Sequence, residues 1–121
     1  MADSTVRLPL AGALAVERYP EFRTAFERAP ADLPVLVDLR EATGVDPTFL
    51  AELLLFKRRR RPFAVAVLVE PGSEVARVLN LPGIKDKVAV YSSEPHAVAA
   101  LGREPRERAG EADETGTEQA R

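Results

Sequence analysis

Asp38 closes the apolar run VLVDL, and Asp46 and Thr48 follow within a few residues in the segment GVDPTFLAELLLFKRRRR. Two carboxylates at and beyond the end of a buried strand stand where α/β sheets commonly place an active site, and such a pair can share acid–base work. No partner base or nucleophile accompanies them, and helix capping accounts for Asp46 by itself. Thr48 is different. Asp46 serves as the helix cap and Pro47 suits the first helical position, so Thr48 is a hydroxyl in the first turn that the helix does not need. A phosphate on Thr48 would add about −1.5 to −2 charges at a helix N-terminus, favoured by the helix dipole and opposed by Asp46 and Glu52.

Other chemistry is sparse. His96 is the single histidine and lies in the first turn of the last expected helix. With no cysteine in the chain, thiolate metal sites and disulfides are excluded. Dinucleotide-binding, P-loop and nucleophile-elbow motifs are all missing. The residues therefore assign no catalytic group, no metal and no cofactor, and the expectation is a protein that is not an enzyme. Residues 57–61 (KRRRR) form one strong basic cluster. At a helix C-terminus such cations complement the dipole, while an acidic protein partner is the functional use of the same charge. A formal charge of −2 gives no general pull toward nucleic acid.

The helix must position these groups, and its wheel divides them. At about 100° per residue, Phe49, Leu50, Leu53, Leu54 and Phe56 share the core face. Thr48, Ala51, Glu52, Leu55, Arg58 and Arg59 fall on the other side. Leu55 makes this a mixed stripe of a kind that a protein partner covers. With the helix start included, the partner-binding candidates are Asp46, Pro47, Thr48, Ala51, Glu52, Leu55, Arg58 and Arg59.

Around this helix, the hydrophobic period alternates between two and about 3.6. Val6, Leu8 and Leu10 alternate as in a strand, with Pro9 favouring an edge. Tyr19, Phe22, Phe26 and Ala29 form a helical face entered through Pro20. The largely apolar runs at 35–39, 63–69 and 87–91 read as strands buried on both faces. Ser73 caps a helix over SEVARVLNL, and a last helix opens at 92–95 and ends at Gly102. This alternation predicts an α/β fold with one largely parallel sheet and about four helices. LPLAGALAV at 8–16 resembles a signal-peptide core, but Asp3 precedes it, a basic leader is missing and Pro9 interrupts it. No apolar run approaches the ~20 residues of a membrane helix, so membrane insertion is not expected. Residues 1–102 read as one domain and 103–121 as a disordered charged tail, free of aromatic and large aliphatic side chains. The absence of cysteine fits a cytoplasmic location.

Three stretches, taken in order, resemble the STAS family, which includes bacterial anti-sigma-factor antagonists. VLVDLREATGVDPTFLAELL is similar to the family's buried strand, loop and Asp-Ser-Ser/Thr-Gly-Leu helix start. VARVLNLPGI is similar to its Leu-x-x-x-Gly-Leu segment at 79–84, and KVAVYSSEPHAVAAL to its last strand and helix. Gly12-Ala13-Leu14 resembles its Gly-x-Leu-Asp after an early strand. The resemblance implies a STAS fold over roughly residues 5–102 and a phosphorylatable residue at Thr48. It also implies an anti-sigma factor that is itself a serine/threonine kinase of the GHKL ATPase type as partner, bound so as to free a sigma factor for transcription. A homodimer is compatible with this reading. Pro47 replaces the motif's first Ser, Phe49 replaces its Gly, and Ala15 stands where the family often has Asp. These departures favour an alternative, a STAS interaction subunit of a signalling or transporter-associated complex that is never phosphorylated.

Overall fold

The computed structural model describes residues 5–103; the expected tail lies outside these residues apart from Arg103, whose backbone is helical. Four strands form the main sheet: β1 (Val6–Pro9), β3 (Val35–Asp38), β5 (Val65–Leu68) and β6 (Ala89–Tyr91), in the order β1-β3-β5-β6 with every pair parallel. Between them in sequence, β2 (Gly12–Leu14) and β4 (Ala42–Val45) pair with each other, also in parallel, as a separate two-stranded sheet. The expected single sheet is thus divided in two. The helices are α1 (Tyr19–Arg28), α2 (Pro47–Arg59), α3 (Glu74–Leu79) and α4 (Glu94–Arg103), with a short 3-10 turn at Val16–Arg18 before α1. Over the described residues the protein is of the α/β class, with parallel strands and four α-helices.

The order of the strands explains where the helices lie. Each successive strand of the main sheet adds on the same side of the previous one, and right-handed crossovers in a constant direction leave their helices on one face. Phe22 and Phe26 of α1, Phe49, Leu53 and Phe56 of α2, and Val75, Ala76 and Leu79 of α3 accordingly bury together against Val35, Val37, Val65 and Val67. The opposite face is covered by α4, whose Ala97 and Leu101 pack on Leu36, Ala66 and Leu68. All four residues of β3 and of β5 are buried, as expected for apolar strands covered on both faces, with the one charged residue, Asp38, at the end of β3. β6 departs from expectation. Only Ala89–Tyr91 pair, Ala89 is exposed, and the strand lies at the sheet edge, so KVAVY is a short edge strand rather than one buried on both sides. Residues 8–16, which resembled a signal-peptide core, hold the end of β1 and all of β2. Helix α4 runs one residue past Gly102 to Arg103. Among the described residues no helix is long and apolar enough to cross a membrane.

Candidate functional site

Helix α2 starts as its sequence requires. Asp46 is extended (φ −112°, ψ 174°), its Oδ1 accepts the Phe49 N–H at 3.0 Å, and its carbonyl accepts the Leu50 N–H at 3.0 Å. Pro47 follows at the first helical position, where its missing N–H is not needed. The aromatic side chains lock the helix to α1. Phe22 and Phe49 meet edge to face at 5.1 Å, and Phe26 stacks on Phe56 at 4.5 Å. Phe49 is fully buried, so this residue is a core anchor of the site rather than part of its surface.

The other half of the site comes from thirty residues upstream. The Val16 N–H donates to Asp46 Oδ2 at 2.8 Å, and the Asp46 N–H donates to the Leu14 carbonyl at 3.2 Å. Asp46 therefore caps its own helix with one oxygen and ties the end of β2 with the other. Pairing of β2 with β4 delivers this contact, with a register shift where Ala13 pairs with Gly44 and skips Thr43. Gly12 sits at the turn out of β1 with φ +81°, a conformation that disfavours a side chain. Arg18 fastens that turn, its Nη1 donating to the carbonyls of Ala11 at 2.7 Å and Ala13 at 3.1 Å.

On the surface, Pro47, Ala51, Leu55, Arg58 and Arg59 are exposed, with Leu55 at 38%. Thr48 and Glu52 are half-buried, less open than the wheel suggests, and the Leu14–Val16 segment is bonded beside the helix start at Asp46. They are four residues apart and share one face of the helix. Val16, exposed at 54%, adds an apolar residue beside the helix start. Sequence reasoning missed it, since only the β2–β4 pairing makes Val16 a neighbour of Asp46. Ala15, between Leu14 and Val16, is held at the same place.

The basic run at 57–61 does not behave as one cluster. Arg60 is only 7% exposed, lies over the Phe56 ring at 4.8 Å and donates to the Leu33 carbonyl at 3.2 Å. Burial lowers its pKa, partly offset by the charge of Asp32, and its Nε is buried without a hydrogen-bond partner. The reason is position: Arg60 caps the end of α2 just before the chain re-enters the sheet, so its aliphatic stem fills space beside Phe56. Arg58, Arg59 and Arg61 remain exposed.

Asp38 and Asp46 do not form an acid–base pair, since each is committed to its own partners. Asp38 is buried at the end of β3. Its Oδ1 accepts from the Arg40 N–H at 3.1 Å and from Arg40 Nε at 3.0 Å. Its Oδ2 accepts from Arg40 Nη2 at 2.8 Å and from Arg7 Nη1 at 2.6 Å. Arg40 Nη2 also reaches Glu94 of α4 at 3.1 Å. The Arg40 side-chain bonds outweigh the opposing effect of burial and hold the Asp38 carboxyl at about 2, below the usual 3.8. The same partner raises the Arg40 pKa further. A carboxylate so strongly held is a poor proton donor or acceptor near neutrality. This network instead shapes the turn that leads from β3 into β4 and α2. No protein-family model matches the chain, and no curated protein matches it at a significant level.

Proposed function

We propose that the protein is a non-catalytic regulatory binding protein of the STAS type, an anti-sigma-factor antagonist. In this reading it binds a kinase-type anti-sigma factor through the start and outer face of α2. The supporting observation is the bond from Val16 N–H to Asp46 Oδ2. It joins two segments that the family resemblance matches separately, the early GAL strand and the DPTFL helix start. Asp46, Pro47, Thr48, Ala51, Glu52, Leu55, Arg58 and Arg59 form the proposed face, with Val16 at its border. Thr48 is the proposed acceptor of the ATP γ-phosphoryl group. The added dianion beside Asp46 and Glu52 would alter the docking face while leaving the buried Phe49, Leu53 and Phe56 in place.

The test uses the native host's GHKL-type anti-sigma kinase with ATP, phosphate being mapped by mass spectrometry and affinity measured by calorimetry. Stoichiometric phosphate on Thr48 and weakened binding after transfer are expected. Phosphate elsewhere or absent removes Thr48 from the switch. Loss of binding in Leu55→Asp with the fold intact supports the face, and unchanged affinity removes it.

A specific observation favours a second reading, an interaction subunit that is never phosphorylated. Thr48 is half-buried between the rigid Pro47 and the fully buried Phe49, where the family motif has a smaller and more pliable setting. Partner binding that depends on Leu55 without any phosphate transfer is the outcome that selects it.

A further inference from the structure

We infer that residues 111–118 (EADETGTE) dock on the exposed arginines at the C-terminal end of α2, so that the chain covers its own basic patch. The patch is defined by contrast. Arg60 turns inward to Leu33 and Phe56, which leaves Arg58, Arg59 and Arg61 outward on about one turn. Among the described residues no ion pair is formed by these three arginines. Three outward guanidinium groups so close together repel one another, and a block of carboxylates relieves that repulsion. Residues 111–118 supply four carboxylates and no cation, the only such block in the chain.

The topology puts the two at the same end of the molecule. Helix α2 ends where β5 begins, and Arg60 bonds Leu33, just ahead of β3, so the arginines lie at the edge where the parallel strands start. Helix α4 begins at the opposite edge, where Glu94 meets Arg40 beyond the end of β3. At ~1.5 Å per residue its ten residues extend about 15 Å, enough to traverse the four-residue strands on which it packs. Residue 103 therefore returns to the edge that carries the arginines, on the other face of the sheet. Helices about 10 Å across on both faces set a path of roughly 20 Å, and the eight residues from 103 to 111 span up to ~26 Å. Docking there occupies Arg58 and Arg59, which also belong to the proposed partner face, but the contact does not depend on that partner's identity.

The cysteine-free sequence makes the test direct. A nitroxide is attached to full-length protein at Gly116→Cys, and paramagnetic broadening of backbone amide signals is recorded. Signals of residues 57–61 are expected to lose most of their intensity, while those of Gly12–Leu14 at the opposite edge keep theirs. The loss should disappear in ~1 M salt, where the screening length falls to about 3 Å. It should also disappear in the variant Glu111→Gln, Asp113→Asn, Glu114→Gln, Glu118→Gln, and in Arg58→Ala, Arg59→Ala. Absent or uniform broadening overturns the inference. So does broadening that persists in either variant, or that arises only between molecules when labelled and isotope-enriched proteins are mixed.

Discussion

Replacing Asp38 by Asn removes one charge from the network that shapes the turn into β4 and α2, and its effect can be worked out in advance. Asp38 falls from the usual 3.8 to about 2 in the folded protein, chiefly because Arg40 bonds its carboxylate. A lowered folded-state pKa means that ionised Asp38 stabilises the fold above the unfolded value, and that this stability is lost as pH falls through the folded value. The difference is worth about 2 kcal/mol near pH 7, on the scale of 1.36 kcal/mol per tenfold change in proton affinity. For a domain of this size that lowers the melting temperature by about 10 °C. Thermal unfolding of the wild type and Asp38→Asn across a pH series is the assay. The gap should be full near pH 7, shrink to roughly half near pH 3, and close below about pH 2 as Asp38 becomes neutral. A gap that is absent near pH 7, or that stays constant as the pH falls, refutes the assignment of Arg40 and Arg7 as the groups that hold this carboxylate.

Other substitutions probe the elements that build the site. Gly12→Ala places a Cβ 2.8 Å from Arg18 Nη1 at a positive φ, and should destabilise the protein by about 1–3 kcal/mol in urea unfolding, whereas Gly44→Ala, with open space at its Cβ, should not show this clash. Asp46→Ala loses both the Phe49 cap and the Val16 tie, so chemical denaturation should show a loss of about 2 kcal/mol, at the upper end for a helix cap. Within the basic run, Arg59→Ala should stay within about 0.5 kcal/mol of wild type, while Arg60→Ala, which uncovers Phe56, should lose at least ~1 kcal/mol.

Much of the architecture is legible because local and tertiary requirements agree. FAVAVLV is an uninterrupted apolar run and VLVDL is broken only by Asp38 at the strand end, and only a strand with both faces covered uses such runs fully. Asp46-Pro47 and Ser73 are strong helix starts, and both cap as their side chains predict, Ser73 Oγ accepting the Ala76 N–H at 3.0 Å. The β2–β4 pair is not legible in the same way. GAL and ATGV are too short and too small to show a period, and their pairing is a tertiary event between segments thirty residues apart. Val16 and the fixed place of Ala15 were hidden with it. Arg60 was hidden for another reason: in a run of five cations, only packing beside Phe56 and Leu33 distinguishes the inward side chain. At 87–91 an apolar run imitated a buried strand, although the sheet ends there and Ala89 faces solvent.

The docking face is tested most directly by amide chemical-shift mapping of the full-length protein titrated with the native host's GHKL-type anti-sigma kinase. Saturable shifts centred on Val16, Asp46, Thr48, Ala51 and Leu55, abolished in Leu55→Asp, are the result expected. Saturable shifts confined to α4 and β6 on the other side of the sheet, or no saturable shifts at all, would contradict the proposed partner and its face.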